Sequence, residues 1–135
     1  MESRDQFLLE LRGEILGIIS SQSSADEKFQ NETIRPILKL QNDLFLAVFK
    51  NYIYKFKNDF YAYSIDKKLL FIENAIQKDI KFRNSLKGIV IGFFTIDEYA
   101  IYIENSSSLN KRMMNMLIER IKSQLQLLEK SVLNI

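Results

Sequence analysis

Acidic side chains are the first place to look for chemistry. Glu10 and Glu14 are four residues apart and share one face of a helix, and Asp97-Glu98 opens another helix. Paired carboxylates can hold metal ions or divide general acid and base work. Carboxylate-bridged metal sites in helical bundles draw Glu-x-x-His from two helices, and this chain has no histidine, so such a site would have to be all oxygen. Solvation of a helix face and the N-terminal dipole account for these acids without any metal. Tyr61, Tyr63, Tyr99 and Tyr102 supply phenols with no base beside them. The chain also has no cysteine. The two absences remove disulfides, thiolate nucleophiles, structural zinc, histidine-ligated haem and Ser-His-Asp or Cys-His catalysis together. The expectation is no catalytic residue, no metal ligand and no cofactor.

Basic side chains offer binding instead of catalysis. Lys78, Lys81, Arg83 and Lys87 surround Phe82, and Lys111, Arg112, Arg120 and Lys122 decorate the last helix. Together they could track a phosphate backbone. Asp79 and Glu119 dilute that field, and 19 basic against 17 acidic residues leave only +2 overall, too little to specify nucleic acid by itself. A solvated helix face explains the same pattern.

The glycines form the other unusual feature. All four fall in G-x-x-x-G pairs, Gly13 with Gly17 and Gly88 with Gly92, and Ser85 and Ser20 extend the two rows. A glycine inside a helix costs about 1 kcal/mol relative to alanine, so four cost roughly 4 kcal/mol. The reading is a helix-packing ridge of Gly13, Gly17, Ser85, Gly88 and Gly92, used for a close crossing inside the bundle or by a second chain. A membrane motif is excluded, because the most apolar run, residues 84–95, is far shorter than the ~20 residues a span needs.

The elements that must position these residues read as helices throughout. Ser3 with Gln6 makes a capping box, and the stripe Phe7, Leu11, Ile15, Ile18 predicts a first helix of about residues 4–20 with that stripe in the core. Ser24 to Glu27 is a second box, opening a segment toward Thr33, where Arg35-Pro36 predicts a break or kink and Pro36 takes the first turn of the next helix. From Pro36 to about Asn58 a long core helix carries the aromatic row Phe45, Phe49, Tyr52, Phe56, with Gln41 as a buried polar residue in its stripe. Ser64 caps a helix with the stripe Leu69, Ile72, Ile76, Ile80, whose phase changes near residues 83–85; a break there with Asn84 as a new cap, or one continuous helix that changes neighbours, explains it. Thr95 to Glu98 is a third box, starting a short helix to Glu104. Residues 105–108 read as a loop. The last helix, about 109–133, repeats Met114, Ile118, Ile121, Leu125, Leu128, Val132 and Ile135 in a heptad seam, widened by Met113, Leu117 and Leu127 into a bundle face.

The segments 30–45, with Pro36, Leu38 and Gln41, 82–88, with Arg83 and Gly88, and 110–120, with Lys111, Arg112 and Arg120, resemble a group of small uncharacterised bacterial proteins, some of which bear the label glyoxalase. The resemblance covers most of the chain. The label implies a metal-dependent enzyme acting on a glutathione hemithioacetal, built on βαβββ units with histidine and glutamate ligands. Without histidine or strands, no catalytic residue is carried over to this sequence.

At 135 residues and 47% hydrophobic content the chain is expected to form one domain, residues 1–135, an all-α compact bundle of about five or six helices with a long C-terminal helix. The functional expectation is a cytoplasmic protein-interaction module that associates with itself as a homodimer and catalyses nothing. A nucleic-acid-binding regulator is the alternative, and a glyoxalase-like enzyme the third.

Overall fold

Side-chain caps set most of the helix starts. The computed structural model describes residues 3–13, 24–56 and 59–129. In chain order the described residues form α1 (Arg4–Arg12), α2 (Ala25–Phe29), α3 (Arg35–Leu40), α4 (Asn42–Lys55), α5 (Ile65–Lys78), α6 (Ile80–Ile91), α7 (Ile96–Glu104) and α8 (Ser106–Ser123). A π-helical turn, Gln30–Ile34, joins α2 to α3, and 3₁₀ turns occupy Phe60–Ala62 and Leu125–Leu128. Among the described residues there is no strand, so the chain is an all-α bundle. Ser3 and Gln6 bond reciprocally at the start of α1, as do Thr95 and Glu98 at the start of α7, and Ser24 and Ser64 accept from the amides of Glu27 and Lys67.

α8 is the hub of the core. It packs against α5, α6, α7 and the π-helical turn. Leu109, Met113, Met114, Leu117, Ile118 and Ile121 are buried along it. The expected single rod to residue 133 is shorter, because Gln124 breaks it and the chain continues as the 3₁₀ turn; Val132 and Ile135 lie outside the described residues. At that break the Gln124 amide exchanges hydrogen bonds of 2.7 and 2.8 Å with Asn42, a half-buried amide pair that ties α4 to the end of α8. Gln41, expected to be buried, is only half-buried, at the bend between α3 and α4.

Three other boundaries differ in detail from expectation, each for a local reason. The break after α5 falls at Asp79, whose carboxylate accepts the Phe82 amide at 3.2 Å and caps α6, so residues 83–85 are helical and Ile80 is exposed. Residues 106–108 are the first turn of α8, with Asn105 alone as the elbow; Ser108 and Asn105 donate to Asp26 instead of forming a loop. No break occurs at Pro36. Ile34 and Arg35 stay helical, and the Arg35 amide reaches five residues back to Gln30, a wider turn that relieves the collision of a proline ring with the carbonyl four before it.

The aromatic row of α4 runs from core to surface. Phe45 and Phe49 are fully buried, Tyr52 is half-buried and stacks on Phe82 with ring centroids 4.1 Å apart, and Phe56 is exposed.

Among the described residues, Gly13, Gly88 and Gly92 make no close crossing with another helix. Gly13 ends α1 with φ +75°, a conformation L side chains rarely adopt, and residues 14–20 of the expected first helix lie outside the described residues. Gly17 lies outside the described residues. A Cβ on Gly88 would meet nothing within 4 Å, and one on Gly92 would meet only carbonyls of its own helix, the nearer at 3.2 Å. Ser85, Gly88 and Gly92 face outward.

Candidate functional site

The junction of α6 and α7 gathers the longest-range polar contacts of the chain. Past the end of α6 the carbonyls of Gly92, Phe93 and Phe94 have no helical partners, and the helix dipole favours cations there. Two arginines of α1 answer both needs. Arg4 donates to the Gly92 and Phe94 carbonyls at 2.9 and 3.0 Å, and Arg12 donates to the Phe93 carbonyl at 3.3 Å. Asp5 accepts the first amide of α7, that of Ile96, at 3.1 Å.

Arg12 also enters the core. It forms a two-pronged pair with Glu98 at 2.6 and 2.8 Å, and Glu98 accepts the Thr33 hydroxyl at 2.6 Å and the Thr95 amide at 2.8 Å. Burial alone would raise the Glu98 carboxyl, but the Arg12 guanidinium, the Thr33 hydroxyl and the Thr95 amide outweigh it and hold the group below the ordinary glutamate range. Arg12 makes one more contact, to the Glu32 carbonyl at 3.1 Å. In an unbroken α-helix that oxygen would accept from residue 36, which is a proline and has no N–H. Pro36 therefore leaves an acceptor that Arg12 takes.

A helix docked by its charged side must turn its apolar side away. Phe7 and Leu11 of α1, expected in the core, are 57% and 59% exposed. α7 is similar: Ile96, Tyr99 and Ile103, spaced on one face, are all exposed, Ile103 at 55%. Among the described residues nothing covers either set.

The basic residues read from the sequence do not form one surface. Arg83 of α6 and Lys111 of α8 meet in a groove of about 420 Å³ with Gln77, Ser107 and Asn115. Lys78 lies instead beside Tyr52, Phe56 and Asp79 in an aromatic groove. There burial, and then the hydrogen bond to Asp79, push the Tyr52 phenol up to about 12. Lys81 is exposed and Lys87 half-buried, and neither lines those two grooves. Arg112 faces a separate, larger cleft on the other side of Asn115, which borders both.

The acids named from the sequence do not converge. Glu10 is exposed, Glu14 lies outside the described residues, Asp97 is exposed, and Glu98 is committed to Arg12. Sequence spacing gave Arg4, Arg12 and Arg35 no role, and no local pattern marks them: the partners of Arg12 lie 20 to 86 residues away. No protein-family model, curated protein or solved structure matches the chain.

Proposed function

We propose that the protein is a helical interaction module that associates with itself through the outward apolar faces of α1 and α7. One observation carries this reading: α1 spends Arg4, Asp5 and Arg12 on the body of its own chain while Phe7 and Leu11 stay in solvent. Burying a side chain of that size is favourable by about 1.5–3 kcal/mol, a gain the described residues leave unused. The neighbouring start of α7, held by Asp5, adds exposed Ile96 and Tyr99, and Ile103 continues that face toward the other end of the helix. The outward Ser85, Gly88 and Gly92 row is a smooth surface against which a second copy can approach closely. Sedimentation velocity at micromolar concentration tests the reading. The expected result is a dimer that persists in salt and becomes a folded monomer in Phe7→Glu with Leu11→Glu; a monomeric wild-type protein refutes it.

A second reading, nucleic-acid binding, is favoured by the meeting of Arg83 and Lys111 in one groove from separate parts of the chain. Phosphate contacts release counterions, so retention of a random single-stranded pool should fall steeply with salt and vanish in Arg83→Glu with Lys111→Glu. Salt-insensitive or absent retention rejects it.

A further inference from the structure

The larger cleft, about 710 Å³, opens between α8 and the chain from the π-helical turn into α3, and three arginines line it: Arg35, Arg112 and Arg120. The way these arginines are held differs from that of Arg12. Arg12 is neutralised by a carboxylate in a closed two-pronged pair. In the cleft each guanidinium is oriented by a neutral amide oxygen: Arg35 by Asn31 at 2.8 Å, Arg112 by Gln30 at 2.9 Å and Arg120 by Asn42 at 3.4 Å. An amide fixes the direction of a guanidinium without cancelling its charge.

Carboxylates make up the difference only at Arg112, which pairs at 3.9 Å with Asp26, a carboxylate that also accepts from Ser108 and Asn105. Glu119 lines the cleft, yet among the described residues no acid is within ion-pairing distance of Arg35 or Arg120. Burial, and then the Arg35 charge, lower the proton affinity of the Arg120 guanidinium, as expected for cations facing one another without a counter-charge.

From this geometry we infer that the cleft is a binding site for a small phosphorylated ligand, with a phosphate group between Arg35 and Arg120 and the remainder lying toward Arg112 and Gln30. Guanidinium forks match the oxygens of a phosphate, and its two negative charges answer Arg35 and Arg120 together where a monocarboxylate would leave one of them unpaired. The volume suits a small molecule. Arg112 and Arg120 are eight residues apart on α8, about 12 Å along its axis, so the site is longer than one phosphate.

Calorimetric titration of the full chain with inorganic pyrophosphate, in low-salt buffer free of competing anions, tests the inference. Pyrophosphate should bind with a Kd below about 1 mM. Arg35→Gln and Arg120→Gln should each weaken binding by about tenfold or more with the helical circular dichroism unchanged. Glu119→Gln should tighten it, a gain that damaged folding cannot produce. Lys111→Gln and Arg83→Gln, in the other groove, should leave it unaltered, which also separates this site from the nucleic-acid reading. Absence of heat at millimolar pyrophosphate overturns the inference. So does equal weakening by Lys111→Gln, unchanged affinity in Glu119→Gln, or binding of a thymidine decamer that requires Arg35 and Arg120 while pyrophosphate does not bind.

Discussion

Glu98 holds two roles that its position in Thr95-Ile96-Asp97-Glu98 reveals only in part. The capping role follows from spacing alone; the pairing with Arg12, across 86 residues, does not. Removing one partner of a buried pair leaves the other charge without compensation, at a cost of about 3–5 kcal/mol. Glu98→Gln should therefore lower stability by about 3 kcal/mol in urea unfolding at pH 7. The pH dependence has a definite sign. The folded carboxyl lies below its unfolded value, so its stabilisation is complete above about pH 4.3, the ordinary glutamate value. It is lost as pH falls through the lower folded value, because the unfolded chain takes up the proton first. Glu98→Gln should flatten that part of the stability curve, and identical acid slopes for the two proteins would contradict it. Glycines give a second contrast at this scale. Gly88→Ala, with open space around the new methyl, should stabilise by about 0.4–1 kcal/mol. Gly13→Ala, at φ +75° and ψ −152°, should destabilise by about 1–3 kcal/mol. In thermal melts a lowered midpoint for Gly88→Ala would count against the first assignment, and a raised one for Gly13→Ala against the second.

At the scale of elements, caps were readable because their partners sit three residues apart, and Ser3, Ser24, Ser64 and Thr95 all cap where spacing placed them. Faces were less readable. The apolar stripe of α1 implied burial, but burial is decided by what the rest of the chain offers, and the end of α6 offers bare carbonyls that only donors can satisfy. At Pro36 the irregularity takes the form of a π-helical turn and not a break, and the break expected at residues 83–85 falls at Asp79, the better cap. The polar docking of α1 can be loosened on its own. Arg4→Ala removes the bonds to Gly92 and Phe94 and should weaken docking by about 1 kcal/mol. Amide hydrogen exchange should then quicken by about fivefold in residues 4–12 and stay unchanged in α8. Uniform acceleration in both helices would show that α1 is not a separate unit.

For the whole molecule, the all-α class was legible in the 3.6-residue period of nearly every segment. The larger cleft was not, because Arg35 and Arg120 are separated by most of the chain and meet only once α3 lies beside α8. The same applies to the groove that joins Arg83 to Lys111. The two proposed surfaces also differ in their response to ionic strength. Association through Phe7, Leu11 and Ile103 should hold its mass between 50 mM and 500 mM salt, because apolar burial is not screened, whereas pyrophosphate binding should weaken over the same range. A mass that falls with salt would assign the self-contact to charged residues instead.

Arg12 touches residues 32, 93 and 98 together, and this gives the chain a temporal order. During synthesis α1 is the first of the described helices to leave the ribosome, yet all the acceptors of its last residue are made later, the final ones more than 80 residues on. Closing loops of that length is slow, and local helix pairs such as α5 with α6 form without it. The first helix made must therefore wait for the end of α6 and the start of α7 before its last residue can seat. In refolding kinetics Arg4→Ala should accordingly raise the unfolding rate and leave the folding rate nearly untouched.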